Sequence, residues 1–308
     1  MGLLNRKQVV LSKIENLYSV DSIPTGAANA MLVSNLKATP MQLEAQARGL
    51  FRPYLGNDED IVTAFYGMLE FDVEVAGAGA LGTVPKFGAL LRACSMAEVI
   101  TVSVKVAYTP VSTAFESVSM YFYLDGVLHK MLGARGDVSV EFKAKNIPKF
   151  KFKFMGLFVP VTDVALPVAS YTGFITPVAV NKANTTYSLH TISTPLSSLS
   201  IKLNNDVKYR NLVNYEAIDI INRTPDGSAE FEAGLMASKN WFTVARDVVL
   251  DVMTVTHGTT AGNVVFMSAP KVQITSPKYG DIDGIASVNT GLKLMPSLGN
   301  DELLIEVR

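Results

Sequence analysis

The sequence predicts a mainly β protein with short flanking helices, arranged as two similar halves in tandem. Three observations carry this. Hydrophobic residues alternate strictly over long stretches. The chain is unusually apolar for one with no membrane-spanning run. The order of strands, helix and hairpins in the first half recurs in the second.

The strongest alternation runs from Glu116 to Phe158. Val118, Met120, Phe122 and Leu124 alternate with Ser119, Tyr121 and Tyr123, and Asp125-Gly126 supplies the dipeptide that a two-residue hairpin turn needs. Val127 to Leu132 returns, and Gly133 and Gly136 predict a further turn. Val138, Val140, Phe142 and Ala144 then oppose Ser139, Glu141, Lys143 and Lys145. After Asn146 and Pro148, Phe150, Phe152 and Phe154 alternate with Lys149, Lys151 and Lys153. A period of two means antiparallel strands with one wall on a core and one in water.

Composition narrows the class. The 308 residues carry 27 basic and 28 acidic side chains, so no overall charge draws the chain to nucleic acid. Only 18% of residues are charged, and the mean hydropathy is positive. No run approaches the ~18 apolar residues of a membrane helix, and polar residues from Asn5 to Gln8 interrupt any apolar leader. Surface buried against copies of the same chain accounts for the apolar balance. Cys94, the single cysteine, excludes an internal disulfide framework and fits a reducing compartment.

Residues 1–35 read as an N-terminal arm with one short strand or helix over Val9 to Tyr18, either frayed or packed on a neighbouring subunit. Leu36 to Ala47 is a strand and Pro53 to Asp60 a polar loop. Ile61 to Gly77 is a long strand with Glu70, Asp72 and Glu74 on one side and Leu69, Phe71, Val73 and Val75 on the other. Pro85 opens a helix with Phe87, Leu90, Leu91, Cys94 and Met96 as its buried stripe. Val99 to Tyr108 follows as one strand. Thr162 to Ala183, with Pro167 and Pro177, is a linker or an edge strand.

The second half repeats the plan. Leu196 to Asn204 occupies the place of Leu36 to Gln46. Tyr215 to Asn222 and Ser228 to Gly234 are strands with a turn at Pro225-Asp226-Gly227, and Glu230 and Glu232 again lie on one side with Phe231 on the other. Ser238 caps a helix through Asp247. Strands over Val249–Thr256, Asn263–Ser268, Lys271–Ser276 and Ile285–Met295 complete the half. Two tandem units follow, residues 36–165 and 166–308.

No catalytic constellation stands out. Gly77, Gly79 and Gly82 spell a dinucleotide fingerprint, with Glu98 beyond. The preceding strand carries acids, however, the helix starts too late, and strands follow rather than a βαβ unit. His129, His190 and His257 are isolated and have no metal-ligand spacing. Three acids along one strand do not form an acid–base pair held between separate elements. Two readings of Glu70, Asp72, Glu74, Glu230 and Glu232 remain open. They line a negative channel, or they face outside or pair with Lys149, Lys151 and Lys153.

The runs PKFGALLRACSMAE, YTPVSTAFESVSMYFYLDGVLHKMLGARGDVSVEFKAKNIPKFKFKFMGLF, PVAVNKANTTYSLH and HGTTAGNVVFMSAPKVQITSPKYGDIDGIA resemble the tail tube (major tail) protein of long-tailed bacteriophages over about residues 60 to 308. The resemblance implies a β-sandwich or half-barrel subunit without enzymatic activity or cofactor. It implies rings of six domains stacked into a hollow tube for genome delivery, assembled in the host cytoplasm around a tape-measure protein. A terminator and tip or baseplate proteins close the two ends. DNA passes transiently and without sequence preference, and nothing inserts in a membrane. With two domains per chain, three chains complete a ring of pseudo-sixfold symmetry; with one, a homohexamer does. The alternatives are another tail, baseplate or secretion-tube sandwich, or a carbohydrate-binding module. Trp241, the one tryptophan, sits on a helix stripe rather than in an exposed aromatic cluster, which disfavours the last.

Overall fold

The computed structural model describes residues 2–308. It is mainly β with three short helices. In chain order the elements are β1 (Gln8–Ile14), α1 (Gly26–Asn29), β2 (Ala30–Met31), β3 (Ser34–Gln46), β4 (Ile61–Glu74), α2 (Gly88–Ala93), β5 (Met96–Thr101), β6 (Lys105–Pro110), β7 (Val118–Leu124), β8 (Val127–Lys143) and β9 (Lys149–Asp163). They continue as β10 (Thr185–Leu189), β11 (Leu196–Lys202), β12 (Asn205–Leu212), β13 (Tyr215–Arg223), β14 (Asp226–Glu232), α3 (Trp241–Arg246), β15 (Leu250–His257), β16 (Val265–Ile282), β17 (Ile285–Met295) and β18 (Leu304–Val307).

All strand pairs are antiparallel, and one pairing path occurs twice. In the first half, β1 pairs with β7, β7 with β8, β8 with β9, β9 with β4 and β4 with β3. In the second, β10 pairs with β15, β15 with β16, β16 with β17, β17 with β14 and β14 with β11. Chain order along the two paths is also the same. The halves join where β11 pairs with the C-terminal part of β8, Leu199 opposite Phe142 and Ile201 opposite Val140. The result is one continuous eight-strand run, β3–β4–β9–β8–β11–β14–β17–β16. The halves also interlock on the other layer, because β6 from the first pairs with the C-terminal β18, which pairs with β16.

One apolar face of the eight-strand run is continuous across both halves. Phe71, Phe150, Phe152, Phe154, Val140 and Phe142 meet Leu199, Ile201, Phe231 and Leu292 in a single buried cluster. Phe71 lies 5.9 Å from Phe152 and 6.0 Å from Phe154, ring centre to ring centre. The helices cap this core alike. Phe87, before α2, packs on Phe150 at 5.0 Å, and Trp241 of α3 packs on Phe231 at 5.1 Å. Burial of each such ring contributes roughly 1.5–3 kcal/mol.

Several expectations are corrected. The N-terminal arm is part of the chain's own sheet. β1 pairs with β7 along its whole length, and Val10 and Leu11 are buried. Behind it Glu15 accepts hydrogen bonds from the Ser117 and Ser119 hydroxyls (2.6 and 2.9 Å) and from the Gly133 N–H (2.8 Å), so a buried carboxylate is fully satisfied. Gly133 and Gly136 do not turn the chain. They sit in and beside a bulge between Leu132 and Arg135 inside the single long strand β8, with Gly133 at φ +58°. Val99–Tyr108 is a hairpin, not one strand. Its turn at Val102–Val104 carries no glycine or proline and relies on Ser103 at φ +58°. Pro225-Asp226-Gly227 bends the chain, but β14 pairs with β11 and β17 rather than with β13. Asn263–Ser268 and Lys271–Ser276 merge into β16, whose Pro270 and Pro277 fall at bulges, where no ladder N–H is needed. The cap of α3 is Asn240, whose side chain accepts from the Thr243 N–H, rather than Ser238.

Candidate assembly site

The second face of the eight-strand run is polar, and register sets it in rows of alternating charge. One row reads Lys37–Glu70–Lys153–Asp137 across β3, β4, β9 and β8. The next crosses all eight strands as Ser34–Asp72–Lys151–Ser139–Lys202–Asp226–Lys293–Gln273. A third begins Glu74–Lys149–Glu141. Lys153 meets Glu70 at 3.1 Å, Lys151 reaches Glu141, and Asn35 donates to Asp72 at 2.6 Å. Opposite charges directly across a ladder stabilise the pairing by a few tenths of a kcal/mol each, less where they are exposed. Burial raises the carboxyl pKa of Asp137, and the Asn205 N–H donating to it at 2.8 Å opposes that rise.

The five acids read from the sequence therefore share this face, but in two settings. Glu70, Asp72 and Glu74 each stand opposite a lysine of β9. Glu230 lies between Ser198 and Asn289 and accepts from the Ser287 hydroxyl at 3.2 Å, and Glu232 stands opposite Ser287. The lysines of β9 were visible in the sequence. Lys202 and Lys293 as the residues opposite Asp226 were not, because that placement depends on register between distant strands.

Both ends of the run are open. β3 pairs only with β4, and β16 beyond Gln273 pairs only with β17. Eight antiparallel strands alternate in direction, so the two outermost strands run oppositely. The two free edges therefore have the strand directions of an antiparallel pair. Such edges are a pairing hazard unless they are covered. Pro40 and three register shifts in β3 interrupt indiscriminate pairing there.

The residues that mimic chemical sites have structural roles. The glycine series brings two backbones together: Gly79 N–H donates to Gly262 O at 2.8 Å, and a Cβ on Gly77 would stand 2.1 Å from that carbonyl oxygen. Cys94 is fully buried, and burial pushes its thiol well up. His190 Nε2 donates to Val272 O at 2.8 Å. His257 Nε2 donates to Val178 O at 3.1 Å, so its Nδ1 accepts from the Thr185 hydroxyl at 2.8 Å. His129 stacks on Phe122. Among the described residues no cluster of His, Cys, Asp or Glu could hold a metal ion, and no helix is long and apolar enough to cross a membrane.

A two-layer antiparallel protein with complementary open edges and one continuous polar wall belongs to the class of self-assembling structural β proteins. Residues 6–289 match the phage tail tube proteins, and the chain belongs to that family. No curated protein matches the chain. Family membership makes it a structural component of the virion tail that assembles with itself into a tube.

Proposed function

We propose that three copies of this chain close into a ring of pseudo-sixfold symmetry, and that stacked rings form the channel through which the genome is delivered. The observation that carries this reading is the doubled pairing path. One chain holds two equivalent sets of four strands, already joined edge to edge by β11 on β8. Repeating that joint between chains, β3 of one on β16 of the next, closes a barrel of three times eight strands. A barrel that wide leaves an aqueous lumen. Closure removes the exposed edges and covers apolar side chains of the monomer surface. The domain units in this reading run from β1 to β9 and from β10 to β17, without catalytic activity. A tape-measure protein, a terminator and tip proteins act at the tube's bore and ends.

In this arrangement the polar wall lines the lumen. DNA presents about one charge per 1.7 Å of axis. Rows of alternating sign in the first half offer the phosphates no continuous basic track, and Glu230 and Glu232, with no lysine opposite, repel them. The duplex slides without being held. The test is the mass of the smallest stable assembly. Three chains of 33.2 kDa are expected, and six chains per ring would contradict the reading.

A further inference from the structure

We infer that the outer part of the first-half hairpin, residues 41–65, lies across β16 and β17 of the neighbouring chain in the same ring. The inference rests on the ring reading above and adds a contact surface to it.

The template is inside the chain. The second-half hairpin does not stop with β11 and β14. It continues as β12 and β13, bent over at Asn204 (φ +52°) and Pro225. That extension folds back across β8 and β9 of the first half. Asn205 Nδ2 donates to Gly136 O at 3.0 Å and to Cys94 O at 2.9 Å. Arg135 donates to Ile218 O at 2.7 Å, and the Ile218 N–H donates to the Tyr18 hydroxyl at 2.6 Å. Tyr209 meets Tyr66 of β4 at 5.0 Å between ring centres. Ala217, Ile218 and Ile220 are buried.

By the doubled path, β3 and β4 are the counterpart of that long hairpin, and β16 and β17 are the counterparts of β8 and β9. In the chain alone, Ala64 is buried and Phe65 packs on Phe158 at 5.5 Å between ring centres, but the reach beyond them is exposed. Phe51 and Leu55 are as exposed as in an extended peptide, at 104% and 103%. Leu43, Tyr54 and Val62 are also exposed. Register shifts at Thr39/Gln42 and Glu44/Ala45 lie where a bend would be needed. The receiving surface offers exposed Met295 and, opposite it, Lys271. Among the described residues, Lys271 is in no ion pair, nor are Glu44 and Asp60 of the hairpin. The signs are complementary. Pairing of β3 on the open stretch of β16 would deliver the hairpin to this surface, as pairing of β11 on β8 delivers β12 and β13 to theirs.

The test places the photo-crosslinking residue benzoylphenylalanine at position 51 in assembled tubes and identifies the linked peptides. Links to residues 265–295 of a second copy are expected. Links confined to other regions of a second copy would overturn this placement and leave the ring standing. Failure of the unmodified chain to form rings would overturn both. A second variant, Phe51→Asp with Leu55→Asp, should melt as the parent does and lose about tenfold or more of its assembled fraction. Assembly at the parent level would overturn the contact.

Discussion

The hairpin formed by β12 and β13 and the outer reach of β3 and β4 hold the same place in two identical pairing paths, yet one is seated and the other is bare. The seated one buries Ala217, Ile218 and Ile220 and is tied down by Arg135, Asn205 and Tyr18. The bare one presents Phe51, Leu55 and Tyr54 to solvent. Nothing local explains the contrast, since both are antiparallel ladders with apolar side chains. What differs is the neighbour: the second half has the first beside it in the same chain. In the proposed ring the first half would find its neighbour in the next chain, so the monomer would hold one assembly contact finished and the other unfinished.

The largest effect should come from the finished contact. Ile218→Ala removes a wholly buried side chain and should lower the stability of the isolated chain by about 2–5 kcal/mol, read by denaturant unfolding. The equivalent truncation on the bare hairpin, Leu55→Ala, should stay within about 0.5 kcal/mol in the same experiment. Equal losses at the two sites would remove the distinction.

A smaller effect tests the polar wall. Glu70→Lys places a third positive charge between Lys37 of β3 and Lys153 of β9 in one row. It should cost roughly 0.2–1 kcal/mol, falling with added salt. Glu230→Lys meets Ser198 and Asn289 instead. It should leave folding nearly unchanged while slowing DNA release from tails, measured by ejection kinetics. A loss of folding stability at Glu230 as large as at Glu70 would contradict the two-setting description.

The smallest effect is with pH. Burial depresses the pKa of His129, His190 and His257, so the folded chain takes up protons less readily than the unfolded one. Their contribution to stability is complete above the ordinary imidazole value near 6.5 and is lost as pH falls from there through the lower folded values. The melting temperature should drop on acidification below about pH 6.5, and His190→Gln should flatten that drop. A melting temperature that rises through this window would contradict the assignment.

Much of this was legible in the sequence where a side chain's neighbours lie close in the chain. Period-two alternation placed β4, β7 and β9, and Asp125-Gly126 gave the β7–β8 turn, with φ of +42° and +101°. Reading failed where distant backbone decides. Gly133 looked like a turn and is a bulge, because β9 holds β8 straight on both sides of it. β10, β12 and β18 carried too little pattern to be read as strands. The candidate face was half legible. Pairing of Glu70, Asp72 and Glu74 with Lys149, Lys151 and Lys153 was one of the readings the sequence offered, but Lys202 and Lys293 opposite Asp226 depend on register between distant strands.

The central claim concerns how many chains close the barrel, and the rotational symmetry of a tube seen end-on tests it most directly. Averaged cross-sections should show threefold symmetry with a near-sixfold pattern, alternate lobes differing by the β5–β6 hairpin present in only one half of each chain. True sixfold symmetry with six identical lobes, each a whole chain, would contradict it.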